Sequence, residues 1–210
     1  LTYFGGPGGL TTKNKMVIST RYSFFGVFAD LNRDGYLDYV TSEFNPGSTE
    51  SRVYYGSPTG YTPQNRFAFQ VNGPRATCVA DLNRDGWLDV VYLTATDSSQ
   101  LSIFWGGAAG FDNARRSHLP IGMAPAGRIA DFNRDGHLDI LVANLLDPTV
   151  APAPGKTVHT FGGTPEGNAI IYWGGAAGYA ADRRQVLPGI GLEDAAVADF
   201  NNDGYLDFAA

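Results

Sequence analysis

A nine-residue pattern, Asp-x-Asn-x-Asp-Gly-x-x-Asp, occurs four times in this 210-residue chain, and nothing else in the sequence limits the fold so severely. The copies begin at Asp30, Asp81, Asp131 and Asp199, at spacings of 51, 50 and 68 residues. A second motif keeps step with the first. It reads Tyr3-Phe4-Gly5-Gly6, Tyr54-Tyr55-Gly56-Ser57, Phe104-Trp105-Gly106-Gly107 and Tyr172-Trp173-Gly174-Gly175. From its first aromatic residue to the next loop's first aspartate is 27 residues in every copy. Only the return stretch varies, with 16 residues from Asp38 to Tyr54, 15 from Asp89 to Phe104 and 33 from Asp139 to Tyr172. Fixed internal spacing with one place for insertions marks a single supersecondary unit, repeated.

Within a unit the apolar segments are short, rich in β-branched and aromatic residues, and separated by glycine-rich turns. Phe24–Ala29, Cys78–Ala80 and Arg128–Ala130 are expected to lead into the loops as strands, and 37–41, 88–93 and 138–142 to leave them. Val53–Tyr55, Ile103–Trp105 and Ile170–Trp173 form a third strand, and a fourth follows near Arg66–Val71. No helical periodicity of useful length is present. Four short strands per roughly 50 residues predict an all-β fold, a β-propeller built of four-stranded antiparallel blades. The whole of 1–210 is expected to be one domain, with units at about 3–53, 54–103, 104–171 and 172–210 and an N-terminal strand at 1–5. The last segment, Leu206–Ala210, and the first, Leu1–Gly5, are in phase to complete one blade between them. Both a closed four-blade ring and part of a larger propeller, such as a seven-bladed one, satisfy this pattern. A chain starting at Leu1 without an initiator Met or basic leader is expected to be a processed chain or a fragment.

The loops have the chemistry of a calcium site. Oxygen side chains at positions 1, 3 and 5, a backbone carbonyl at 7 and a carboxylate at 9 can wrap an oxygen shell of about 2.4 Å around Ca2+. The expected ligands are Asp30, Asn32, Asp34, Tyr36 and Asp38; Asp81, Asn83, Asp85, Trp87 and Asp89; Asp131, Asn133, Asp135, His137 and Asp139; and Asp199, Asn201, Asp203, Tyr205 and Asp207. The variety at position 7 is what a main-chain donor predicts, since its side chain is not used. An all-oxygen set selects Ca2+ over zinc or copper. An EF-hand is excluded, because position 12 needs Glu and holds Thr41, Tyr92, Val142 and Ala210, with strands on both sides. Twelve of the 21 acidic residues lie in these loops, and four Ca2+ ions would move the formal charge from −6 to +2. Without metal the crowded carboxylates repel, so metal is expected to be part of the fold.

With the preceding Ala-Asp pairs at Ala29, Ala80, Ala130 and Ala198, these loops and aromatic-Gly-Gly motifs resemble the FG-GAP/VCBS repeats, the calcium-binding propeller blades of integrin α-subunits and of many secreted bacterial proteins. The resemblance covers essentially the whole chain. It implies a calcium-binding β-propeller at the cell surface or outside the cell. It does not single out an activity, because the family includes adhesins, lectins, polysaccharide lyases and structural scaffolds.

The rest of the chain narrows the function by exclusion. No apolar stretch nears ~18 residues, so no membrane span is expected, and a net charge of −6 argues against nucleic acid. Cys78 is the only cysteine, so no intrachain disulfide forms; it matches Val27 and Ala196 in other copies and reads as a small buried filler. Lys15, Arg66, Arg116 and Arg184 each stand 15 residues before a loop, as structural partners or as a ring for an anionic ligand. His118, His137 and His159 lie in unrelated contexts, and no Ser-His-Asp set or carboxylate pair appears outside the loops. The Pro- and Gly-rich insertion 143–170 is expected to be an exposed loop that contacts a partner. The expected function is therefore an extracellular calcium-stabilised module for binding or assembly, with carbohydrate, protein or its own copies as partner. A secreted polysaccharide-degrading enzyme and a subunit of a surface filament or layer are the alternatives.

Overall fold

The structure, a computed structural model, describes residues 2–3, 6–13, 15–18, 20, 22–44, 49–95, 100–145 and 166–210. Its described residues form sixteen strands and no helix. The first sheet contains β3 (Ser23–Ala29), β4 (Asp38–Glu43), β5 (Glu50–Tyr54) and β6 (Arg66–Gln70) in that order. The second contains β7 (Pro74–Ala80), β8 (Asp89–Thr94), β9 (Gln100–Phe104) and β10 (Arg116–Pro120). The third contains β11 (Ala126–Ala130), β12 (Asp139–Asn144), β13 (Glu166–Tyr172) and β14 (Arg184–Ile190). Every pairing is between chain neighbours and antiparallel.

Each sheet starts at the strand before an Asp-Gly loop, so it draws its strands from two successive units of the repeat as counted from the aromatic motif. Two further pairs flank the array, β1 (Thr2–Tyr3) with β2 (Lys15–Met16) and β15 (Ala196–Ala198) with β16 (Asp207–Ala209). A closed four-blade ring would merge these pairs into a fourth blade. Here they are separate two-stranded sheets, and no sheet is closed.

Burial explains why the sheets stack as blades. Successive strand residues point to opposite faces, and in β8 both faces are covered. Val90 and Tyr92 pack with Leu31, Val40, Val53 and Phe69 of the first sheet, while Val91 and Leu93 pack with Ile140, Val142, Ile170 and Tyr172 of the third. The pattern repeats in β12, whose Leu141 and Ala143 face a cluster with Val197 and Phe208. The leading strands adjoin one another, with β7 lying against both β3 and β11. Hydroxyls tie the sheets together: Tyr92 donates to the Thr41 carbonyl (3.0 Å), Ser42 to that of Pro74 (2.9 Å) and Tyr172 to that of Pro120. Large apolar residues exposed among the described ones fall within 3–37 and 186–206. Among the described residues, the second and third sheets are packed on both faces.

The insertion differs from the sequence expectation at its edges. Ala143 and Asn144 continue β12, and 166–170 form most of β13, pairing as Ala143↔Ala169 and Asn144↔Asn168. Asn144 also donates to Asn168 Oδ1 (2.6 Å), a buried amide pair that holds the register. The rest of the expected exposed loop, 146–165, lies outside the described residues.

Candidate metal-binding loops

The four loops share most of one wiring, and each begins with the turn after its leading strand. Two consecutive bends make the turn. Position 4 is left-handed in all copies, at φ 61° for Arg33, Arg84 and Arg134 and 59° for Asn202. Position 6 is also left-handed, for example φ 86° at Gly35, which is why glycine is required there.

These bends aim the loop amides inward at the acidic side chains. Asp30 accepts from the amides of Asp34 (3.1 Å) and Gly35 (2.9 Å), and Asp199 likewise from Asp203 (3.1 Å) and Gly204 (2.8 Å). Asp81 and Asp131 accept from Gly86 (2.8 Å) and Gly136 (2.9 Å). Asn32 accepts from the Asp34 amide (3.0 Å) and donates to its carboxylate (2.9 Å), and Asn83, Asn133 and Asn201 repeat both bonds. The position-5 carboxylates of Asp34, Asp85, Asp135 and Asp203 accept from the position-7 amides of Tyr36, Trp87, His137 and Tyr205 at 2.8–2.9 Å.

The ninth position does structural work as well. Asp38, Asp89 and Asp139 are fully buried. Each accepts the position-2 amide on one oxygen, from Leu31, Leu82 and Phe132. On the other oxygen each accepts the amide of Gly56, Gly106 or Gly174 at 2.8 Å, where the third strand ends. The carboxylate thus staples its loop to the aromatic-Gly-Gly turn that follows it, across the return stretch whose length varies between copies. Asp207 holds the Phe200 amide (3.0 Å) in the same way.

Burial is the main influence on the ninth-position acids, raising Asp38 and Asp139 and pushing Asp89 up to about 6. Their two bound amides oppose this, and the repulsion of the loop's other two aspartates adds to it. All three carboxylates of a loop are therefore close enough to sense one another. Asp135 is held below its usual range, mainly by the His137 amide.

Among the described residues, no three Asp, Glu, His or Cys side chains converge by themselves as a metal cage. Two of the five donors expected per loop are not of those types, being the Asn amide oxygen and the position-7 carbonyl. An oxygen that accepts one N–H keeps a second lone pair. The buried Oδ1 atoms of Asp81 and Asp131 have no hydrogen-bond partner at all.

The remaining candidates resolve into structural parts. Arg116 donates to the Gln70 carbonyl (2.7 Å) and lies over Phe104, and Arg184 reaches the Tyr172 hydroxyl (3.2 Å). Two of the four ring cations thus brace strands. His118 pairs with Ser102 Oγ (3.0 Å) and is shifted down by burial and by Arg116. His159 lies outside the described residues. The Cys78 thiol donates to the Gly127 carbonyl (3.3 Å) and is pushed up to about 11 by burial.

Sequence reasoning missed two features. One is the buried Glu43, paired with Arg52 (2.6 Å) at the strand ends opposite the loops. It occurs in a single copy, so the repeat gives no sign of it. The other is the reach of the position-4 arginines into the neighbouring sheet, for which recurrence of arginine in three copies was the available signal.

The family model of the FG-GAP-like repeat matches the chain twice, over residues 30–92 and 81–142, each match running from one acidic loop through the next. No curated protein matches the chain. The matched stretch, 30–142, exceeds half of the 210 residues, and the chain belongs to the FG-GAP-like repeat family.

Proposed function

We propose that this chain is a calcium-stabilised repeat module of the cell surface or extracellular space, acting by binding or assembly rather than catalysis. The observation that carries the reading is the repetition of one loop geometry four times, with three aspartates and an asparagine gathered round each turn. Three carboxylates, an amide oxygen and a main-chain carbonyl are the donor set of a hard divalent cation. The partnerless buried oxygens of Asp81 and Asp131 fit such an occupant. Positions 1, 3, 5 and 9 would hold Ca2+ through side chains, and Tyr36, Trp87, His137 and Tyr205 through their carbonyls. The ion would neutralise the crowded carboxylates.

The blades form a rigid frame, and FG-GAP repeats point to protein interaction as its use. A carbohydrate ligand and self-assembly are the other partners consistent with this frame. No helix among the described residues is long and apolar enough to cross a membrane. In this reading 1–210 act as one propeller-type domain.

A glycan array and a panel of extracellular-matrix proteins, each probed in Ca2+ and in chelator, test the function. Binding that disappears in chelator is the expected result. Turnover of an acidic polysaccharide to an unsaturated product would overturn the non-enzymatic reading.

A further inference from the structure

We infer that the arginine at position 4 of the first three loops is a positioning residue for the loop that follows, linking the sites in one direction along the array. The inference concerns the cation sites of the proposed function and rests on that reading for its effect on affinity.

Arg33, Arg84 and Arg134 occupy a left-handed conformation that disfavours most side chains with a Cβ, asparagine and aspartate being among the better tolerated. Asn202 shows that the fourth loop meets the same angle with the better-suited residue. Something specific to arginine therefore offsets the strain in the other three. That something lies in the next sheet.

The Arg33 guanidinium stands 4.5 Å over the Trp87 ring, and that of Arg134 4.5 Å over Tyr205. Nη2 atoms of Arg33, Arg84 and Arg134 lie only 2.6, 2.9 and 3.0 Å from where a Cβ would sit on Gly86, Gly136 and Gly204. Each guanidinium thus lies across positions 6 and 7 of the following loop. Position 7 supplies the expected carbonyl donor, and the amides of both residues are held by that loop's aspartates. Among the described residues nothing lies within 4 Å of the equivalent point on Gly35 in the first loop, which offers a comparison for the other three.

Electrostatics makes the test decisive, because removing a positive charge beside a cation site should by itself tighten cation binding. Positioning predicts the reverse. The variants are Arg33→Ala and Arg33→Asn, the second keeping the left-handed turn but lacking the reach. Hydrogen exchange on chelated protein should speed up about three- to tenfold at residues 86–88 in both variants, with 35–37 unchanged in Arg33→Asn.

Terbium titration follows, in a Trp105→Tyr, Trp173→Tyr background that leaves Trp87 as the only indole. The Trp87-sensitised midpoint should move to about three- to tenfold higher terbium. A tighter midpoint, or unchanged exchange at 86–88 in a protein that binds terbium normally, overturns the link. If the parent protein binds no terbium but exchange at 86–88 still responds, the positioning stands and the cation reading falls.

Discussion

Asp89 and Asp85 belong to the same loop and are expected to do different work. Asp89 is fully buried and holds the amides of Leu82 and Gly106, so Asp89→Ala leaves two buried donors unpaired. At about 1–3 kcal/mol for each unsatisfied group, the loss in chelator is on the order of 2–6 kcal/mol. Asp85 makes only exposed hydrogen bonds, to Asn83 and Trp87. Asp85→Ala should barely change stability in chelator and should abolish the stabilisation by Ca2+ at that loop. Denaturant melts of both variants under the two conditions check this; equal losses in chelator would contradict the division. The four loop repeats, with their Asp, Asn and Gly positions, were legible in the sequence. The staple from position 9 to the aromatic-Gly-Gly turn was not, because a carboxylate that holds amides and one that holds a cation are the same letter. Cys78 gives a separate pH prediction. Its thiol pKa rises from 9.0 to about 11, so the folded state favours the protonated form, and the stability this contributes is lost as pH rises from about 9 towards 11. At pH 8 alkylation should run about a hundredfold slower in the folded protein than in urea. Equal rates would show an exposed thiolate.

Strand positions followed from β-branched runs between Asp-Gly and Gly-Gly turns, and the described strands agree with them to within a few residues. The insertion was harder, since its proline and glycine content masks two strand ends that pair through Asn144 and Asn168. Its partner β14 carries Pro188, which a fourth strand tolerates because one of its edges needs no ladder bond. Position 2 of the loops shows how far a repeat can mislead about burial. Leu82 is 6% exposed and packs into the cluster shared by the second and third sheets, whereas Phe200 is 56% exposed. Leu82→Ala should cost about 2–5 kcal/mol. Phe200→Ala should stay within about 0.5 kcal/mol. Chemical denaturation distinguishes them, and a large loss at Phe200 would mean that another sheet covers it in solution.

For the whole molecule, stability is expected to depend on the loops because they sit where each leading strand turns back into its sheet. Interdigitated faces supply the apolar core between successive sheets, but the loops bring twelve of 21 acidic residues into four small volumes. A ligand that binds only the folded state at a hundred times its dissociation constant adds about 2.7 kcal/mol per site. Four such sites would raise Tm by roughly 20 °C or more in a chain of this size. The direct measurement is a calorimetric melt of chelator-treated protein before and after Ca2+ is restored, with bound calcium counted by elemental analysis. About four ions per chain are expected, with a Tm that falls in chelator and recovers with Ca2+. An unchanged melt in a protein that carries no calcium would contradict this.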